Sequence, residues 1–248
     1  MKRAYWENMA PSYGEEIFDV LYHDKKGLIR QVISKQAGPG KTVIDIGCAI
    51  GKWIPVLAPV FKKVIALDIS AKNLAIARKL HSSYPNVDYL RADMSGKKKA
   101  APAADFGICI NAILTPHRKD RARFFAALGP CLKKGARLVL TVPSLESYLL
   151  TNIMQQQYRI DTRYFPKETS GKKALSKWNH IRQGITEIDD IPHKHYLKEE
   201  LEHLLREAGF ATERIHKLEY DWSTEFHKPP AELKKPGPWD WMVVSYKL

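Results

Sequence analysis

Between positions 42 and 142 the apolar residues fall in short runs, and most of these stop at an acid, an amide or a proline. Thr42–Ile46, Lys63–Leu67, Val87–Leu90, Phe106–Ile110 and Arg137–Val142 are too short for helices and rich in β-branched residues. They predict five strands. Between several of them the apolar spacing turns helical. A helix is expected from about Lys52 to Val60, another after the N-cap Ser70 with Leu74, Ala77 and Leu80 inward, and a third through Phe124, Leu128 and Leu132 up to Gly135. Strands alternating with helices imply βαβ units, a parallel sheet and right-handed crossovers.

The flanks read differently. Residues 4–36 predict helix: Tyr5, Trp6 and Met9 share a face, Ser12-x-x-Glu15 suits a capping box, and Ile17, Val20, Leu21 and Leu28 continue the stripe up to Gly38-Pro39-Gly40. After Pro143 the βα rhythm stops. Leu145, Leu149, Ile153 and Tyr158 suggest one helix, and the rest, through Tyr164, Phe165, Lys172-Lys173 and Trp178, is basic and aromatic, as in an insertion or lid. Leu197, Leu201, Leu204, Leu205 and Ala208 then form a helix stopped by Gly209. Two last strands, near Thr212–Leu218 and Trp241–Tyr246, are joined by a Pro-rich stretch that leaves no room for a helical crossover, so they should be antiparallel. The expected fold is α/β: a Rossmann-like, doubly wound, mostly parallel sheet with an antiparallel C-terminal strand pair and a lid after strand five. It is read as a single domain, with a helical cap over 1–38, a core over 40–142, the lid over 143–196, and a C-terminal helix and strand pair over 197–248.

Charge adds a constraint. Forty basic residues against 27 acidic ones give a net +13, which favours acidic or phosphorylated partners. The lysines are scattered in pairs, with Lys97-Lys98-Lys99 as the run, so solvated surface explains most of them and nucleic-acid contact is the alternative. Three cysteines, at 48, 109 and 131, form no C-x-x-C pair and suit a reduced compartment rather than a disulfide framework or zinc site. No apolar run approaches membrane-spanning length and the N-terminus lacks a signal-type apolar core, so a cytoplasmic protein with no membrane partner is expected.

Candidate chemistry starts at Val43–Trp53, V-I-D-I-G-C-A-I-G-K-W, where a strand enters a glycine turn. Such a turn presents backbone N–H groups at a helix start and forms the nucleotide corner of doubly wound folds. The carboxylate of Asp45, two residues before Gly47, would repel a pyrophosphate but tolerate a cationic amino-acid group, so a NAD oxidoreductase ranks last. Asp68, about 20 residues beyond the glycines, suits a ribose diol.

From residue 40 to 248 the chain resembles the class I S-adenosylmethionine-dependent methyltransferases. Val43–Gly51 is similar to their acid-then-G-x-G-x-G motif, with Ala49 in place of the middle glycine. Asp68 closes strand two, Arg91-Ala92-Asp93-Met94 closes strand three, and Ala104-Asp105-Phe106 through Asn111 resembles strand four. Leu132–Leu140 is similar to L-K-P-G-G-x-L with Lys134 and Ala136 substituted, and Tyr196 through Phe210 resembles the helix before strand six. The resemblance implies S-adenosylmethionine as cofactor. Gly47, Cys48, Ala49 and Gly51 would pass close to its methionine part, with Asp45 supporting the turn. Asp68, with Ile69 beside it, would take the ribose, Asp93 and Met94 the adenine, and Asn111 and Ala112 the floor under the sulfonium. Tyr13 would close over it.

Catalytic groups are less determined, since methyl transfer from a sulfonium mainly needs alignment and dryness. His117, after strand four, is the candidate base; His193 and His195 are weaker. No metal cluster is expected. Strand four ends Asn111-Ala112-Ile113-Leu114 and not N/D-P-P-Y, which disfavours a nucleic-acid substrate. The expected activity is methyl transfer to a small-molecule acceptor, with a tRNA or rRNA methyltransferase as the alternative and a non-catalytic cofactor-binding protein as the second. The lid aromatics, with Trp222, Phe226 and Trp239, either enclose an apolar acceptor or pack the insertion onto the sheet.

Overall fold

The computed structural model describes residues 3–96, 100–160, 170–188 and 191–248, apart from the side chains of Glu15 and Glu16. Nine strands are present in the described residues: β1 Gly38–Ile46, β2 Phe61–Asp68, β3 Val87–Arg91, β4 Ala104–Ile110, β5 Leu132–Pro143, β6 Ile185–Ile188, β7 Ile191–Lys194, β8 Phe210–Glu219 and β9 Trp239–Lys247. Seven of them form one sheet in the order β3-β2-β1-β4-β5-β9-β8, and β6 and β7 pair separately. The first five run parallel, with Val43 opposite Val64 on one side and Phe106 on the other. β9 is antiparallel to both β5 and β8, the second as expected from the Pro-rich joint.

Both faces of this sheet are covered, which is why its central strands read as nearly unbroken apolar runs. Ile44, Ile46, Ile65, Leu67, Leu138 and Leu140 enter one core; the alternate residues Val43, Val64, Ala66, Phe106, Ile108 and Val139 enter the other. The chain leaves β1 toward β2 on one side, and β4 lies on the other. That reversal opens a crevice at the carboxyl ends of β1 and β4, where open α/β sheets bind ligands.

The N-terminal helix is broken where the periodicity suggested continuity. It resolves into α1 Arg3–Met9, a 3-10 turn at Ala10–Ser12, α2 Tyr13–Glu16, α3 Val20–His23 and α4 Leu28–Gln36. Aspartates restart it: Asp19 accepts the Tyr22 N–H at 3.1 Å, and buried Asp24 accepts those of Leu28 and Ile29 at 2.9 and 3.0 Å. Ser12 makes no side-chain cap and instead donates to the Met9 carbonyl. Gly38-Pro39-Gly40 belongs to β1, whose register slips between Gly38 and Thr42.

Later boundaries also shift. The helix expected over 52–60 contracts to α5 Ile54–Leu57. α6 Ala71–Leu80 starts at Ser70 as expected, with Ser70 Oγ accepting from the Asn73 N–H at 3.1 Å. α7 Arg118–Leu128 ends before Pro130, so Leu132 opens β5 rather than closing the helix. Segment 143–196 contains α8 Leu145–Gln157, α9 Gly171–Ile181 and the β6–β7 hairpin, the last two absent from the sequence expectation. Tyr164, Phe165 and Lys97-Lys98-Lys99 lie outside the described residues. α10 Lys198–Glu207 leads to Gly209 at φ +82°. Among the described residues no helix is long and apolar enough to cross a membrane. Cys48, Cys109 and Cys131 are buried and outside any disulfide.

Candidate cofactor cleft

At the end of β1 the backbone turns sharply. Gly47 (φ +78°), Ala49 (φ +49°) and Gly51 (φ +81°) are all left-handed. A Cβ on Gly47 would collide with the Cβ of Ala112, and one on Gly51 would stand 2.6 Å from Ile54 Cδ1. Ala49 holds this conformation without being glycine, at a cost of roughly 1–2 kcal/mol. The turn is tied to β2: the N–H groups of Gly47 and Cys48 donate to the Leu67 carbonyl at 2.8 and 2.9 Å. The Asp68 carboxylate accepts from Ala49 N at 3.0 Å and Ser70 N at 2.7 Å, so one acid joins the glycine turn to the start of α6. Burial raises its pKa above the ordinary carboxylate value against the pull of these two donors.

Beneath the turn lies Asp45, 2% exposed, with no hydrogen-bond partner for Oδ2 in the described structure. Burial first, and then the charge of Asp68, push its pKa up to about 8. The folded chain therefore holds a proton that the unfolded chain releases from about pH 4 upward, so this acid makes stability fall as pH rises toward 8. Buried His195, pushed down to about 4, acts in the opposite sense only below its ordinary 6.5. Between pH 6.5 and 8.5 thermal or urea unfolding should show Asp45→Asn gaining about 2 kcal/mol relative to wild type. Parallel pH profiles for the two proteins would contradict a protonated Asp45.

The far wall follows β3 and β4. Asp93 closes β3, its Oδ1 accepting from N and Oγ of Ser95 at 2.8 and 2.7 Å, with Met94 buried beside it. Asn111, at φ +48°, follows β4 and is held from behind. Its Nδ2 donates to Asp240 Oδ2 at 2.7 Å, Thr141 Oγ1 donates to its Oδ1 at 2.9 Å, and Tyr220 OH also donates to Asp240, at 2.9 Å. The antiparallel end of the sheet thus fixes a residue of the cleft. Trp6 and Tyr13 reach the cleft from the N-terminal helices. α1 is anchored there by Glu7, which accepts the N–H groups of Ala71 and Lys72 at 2.9 and 3.2 Å; the first of these bonds is the main cause of its lowered pKa.

The resulting cleft has about 810 Å³ of empty space, counting its open mouth. The structure brings Tyr13, Gly47, Ala49, Asp68, Ile69, Asp93, Met94, Asn111 and Ala112 to its lining. Asp45, Cys48 and Gly51 are not among the lining residues; they support the turn instead. His117 is not in the lining either. It is the exposed N-cap of α7, with extended backbone (φ −81°, ψ 110°), while Asp120 and Phe124 further along the helix line the cleft. His195 is buried in the 143–196 segment, 2.9 Å from Thr186 Oγ1, and the His193 ring lies 2.7 Å from the Ile191 carbonyl; neither lines the cleft.

Sequence reasoning missed Trp6, Asn73, Leu114, Thr115, Asp120 and Phe124. The i,i+4 pair Asp120–Phe124 was readable as a face of α7, but an acid in a helix's first turn has an ordinary explanation in the helix dipole. The late aromatics pack rather than enclose: Trp222 and Phe226 stack at 5.7 Å, Trp239 and Trp241 meet edge to face at 6.0 Å, and all four are buried outside the cleft. Among the described residues no cluster of three His, Cys, Asp or Glu is placed to hold a metal.

A sheet of this order, with a glycine turn after its first strand and acids after the second and third, defines a Rossmann-like methyltransferase fold. A family model described as a methyltransferase domain matches residues 21–215, and the chain belongs to that family: it is an S-adenosylmethionine-dependent methyltransferase. Ubiquinone biosynthesis O-methyltransferase of Thiobacillus denitrificans is 26% identical over 208 residues, 82% of this chain and 79% of that protein. The Saccharomyces cerevisiae probable S-adenosylmethionine-dependent methyltransferase is 34% identical over 76 residues, 31% of this chain and only 22% of that protein. The solved structure of a Methanosarcina mazei SAM-dependent methyltransferase shares the fold at 17% identity and a TM-score of 0.62, covering 88% of this chain and 97% of that one.

Proposed function

We propose that this enzyme methylates a nucleophilic O, N, S or C atom of a small-molecule acceptor. One observation carries the reading: the lining left over once the cofactor is placed includes Leu114, Phe124 and the acid Asp120, and no Lys or Arg is among the cleft's described lining residues. A polynucleotide acceptor needs cations against its phosphates; an uncharged or cationic small molecule does not. The Thiobacillus relative, named for ubiquinone biosynthesis and matched over most of its length, supports the same reading.

The cleft suits S-adenosylmethionine on its own geometry. Gly47 leaves the space that a Cβ would fill against Ala112, and Asp68 keeps acceptor capacity beyond its two backbone donors. When bound, S-adenosylmethionine supplies an activated methyl group on a sulfonium that is its own leaving group. In the proposal Asp68, flanked by Ile69, holds the ribose hydroxyls, Asp93 accepts the adenine amino group, and Met94 packs against the ring. The turn through Gly47, Cys48, Ala49 and Gly51 admits the methionine part, with neutral Asp45 supporting it from below. Asn111 and Ala112 form the floor, and Tyr13 and Trp6 exclude water. Rate then comes from in-line alignment in a dry cleft. Asp120 is the lining acid not assigned to the nucleoside, and takes the proton of a hydroxyl or ammonium acceptor in place of His117. Asp120→Asn should lower kcat roughly 100-fold while leaving S-adenosylhomocysteine affinity unchanged; unchanged turnover would remove Asp120 from this role.

The proposal treats the chain as a single methyltransferase domain: a cap over 1–38, a cofactor core over 40–142, a lid over 143–196, and a helix with strand pair over 197–248. It places the enzyme in the cytoplasm, on a sequence whose three cysteines form no disulfide-type framework. The test is incubation with methyl-labelled cofactor and whole-cell extract, followed by separation of small molecules, RNA and protein. Label is expected in the small-molecule fraction. Label in RNA would overturn the reading in favour of an RNA methyltransferase, which the net charge of +13 favours.

A further inference from the structure

α9 presents an amphipathic face that the rest of the described fold does not cover. Its sequence is GKKALSKWNHI, and none of its residues is buried. At helical spacing Leu175, Trp178 and Ile181 share one side with Ala174; Leu175 is 60% exposed and Trp178 59%. Lys172, Lys173 and Lys177 on the helix and Arg182 just after it are all exposed, and no acid occurs from Ser170 to Thr186. The preceding helix α8 also exposes apolar residues, Leu149 and Ile153 one turn apart, but carries no Lys or Arg.

Large apolar side chains left in water on one stripe, ringed by cations, mark a contact surface rather than a packing remainder. We propose that α9 docks on the surface of an anionic phospholipid bilayer. Trp178 and Leu175 enter the headgroup boundary, where a tryptophan's apolar ring and polar N–H are both accommodated. Lys172, Lys173, Lys177 and Arg182 meet the negative lipid charge, their apolar stems lying along the interface. The uniform sign of this stretch decides among occupants. A second copy of this face would oppose like charges, and RNA would use the lysines but leave Leu175 in water. The inference is independent of the acceptor's identity.

The test is co-sedimentation of the full-length protein with vesicles of phosphatidylcholine alone or with roughly one-third phosphatidylglycerol. Binding to the anionic vesicles should exceed binding to neutral ones by about tenfold and weaken as salt rises. Leu175→Glu/Trp178→Glu should lose about tenfold of that binding, and Lys172→Gln/Lys173→Gln/Lys177→Gln a similar amount. Both variants change exposed residues, so each should keep its thermal response to S-adenosylhomocysteine, which separates failure of docking from failure of the cofactor site. Equal binding to neutral and anionic vesicles, or binding indifferent to both variants, overturns the proposal. So does a solution dimer that Leu175→Glu/Trp178→Glu dissociates, which would make a second copy the occupant. RNA binding that needs the lysines but not Leu175 or Trp178, without vesicle binding, would also overturn it.

Discussion

Gly47→Ala should lose S-adenosylhomocysteine binding by about 100-fold or more. Two independent penalties meet at this position. An alanine at φ +78° costs roughly 1–2 kcal/mol. Its Cβ must also collide with Ala112, whose backbone follows β4 and cannot yield without moving Asn111; overpacking of this kind costs about 1–3 kcal/mol. The melting temperature should fall by roughly 10 °C. The double variant Gly47→Ala/Ala112→Gly separates the two causes: it relieves the collision but not the backbone strain, so it should recover only part of the loss. Full recovery would show that the left-handed turn matters little, and no recovery that the contact with Ala112 does not.

Asp68→Asn should weaken S-adenosylhomocysteine by about 100-fold in calorimetric titration. The carboxylate now serves Ala49 N and Ser70 N with one oxygen each, and in the proposed complex it serves the ribose as well. An amide has one acceptor oxygen, so it leaves a backbone N–H facing its NH2 group and loses charge-assisted bonding to the hydroxyls, each about 1–3 kcal/mol. The fold should survive, because β2 and α6 keep their own apolar contacts and the Ser70 cap. An affinity within about threefold of wild type would remove Asp68 from the site.

The places of these residues at the strand ends were legible in the sequence because they depend on short-range geometry. Asp68 and Asp93 are read from the strands they close, and Gly47 from a turn that begins where a β-branched run stops. The parallel core and the antiparallel C-terminal pair were legible for a related reason: a buried parallel strand has a continuous apolar run, and a proline-rich joint rules out a helical crossover. Where side chains compete with the backbone, reading from periodicity failed. Asp19 and Asp24 capture helix N–H groups and break the N-terminal stripe into separate helices, of which α3 and α4 enter one core. His117 follows strand four, as read, but it is the exposed N-cap of α7 and is not among the residues that line the cleft. The link from Asn111 to Asp240 spans 129 positions and leaves no local trace, so the network holding the cleft floor was invisible before the fold was known. The β6–β7 hairpin was missed because each strand has only four residues, too few to show alternation.

The central claim is that the crevice at the carboxyl ends of β1, β2 and β4 holds S-adenosylmethionine. Thermal unfolding of the wild-type protein and Gly47→Ala, each with S-adenosylhomocysteine or NADH, tests it most directly. At 100 times its dissociation constant a bound ligand adds about 2.7 kcal/mol to stability. S-adenosylhomocysteine should therefore raise the melting temperature of wild type and move Gly47→Ala far less, by about 0.4 kcal/mol or below, and NADH should move neither. Stabilisation by NADH in place of S-adenosylhomocysteine, or an equal shift in both proteins, would contradict the account.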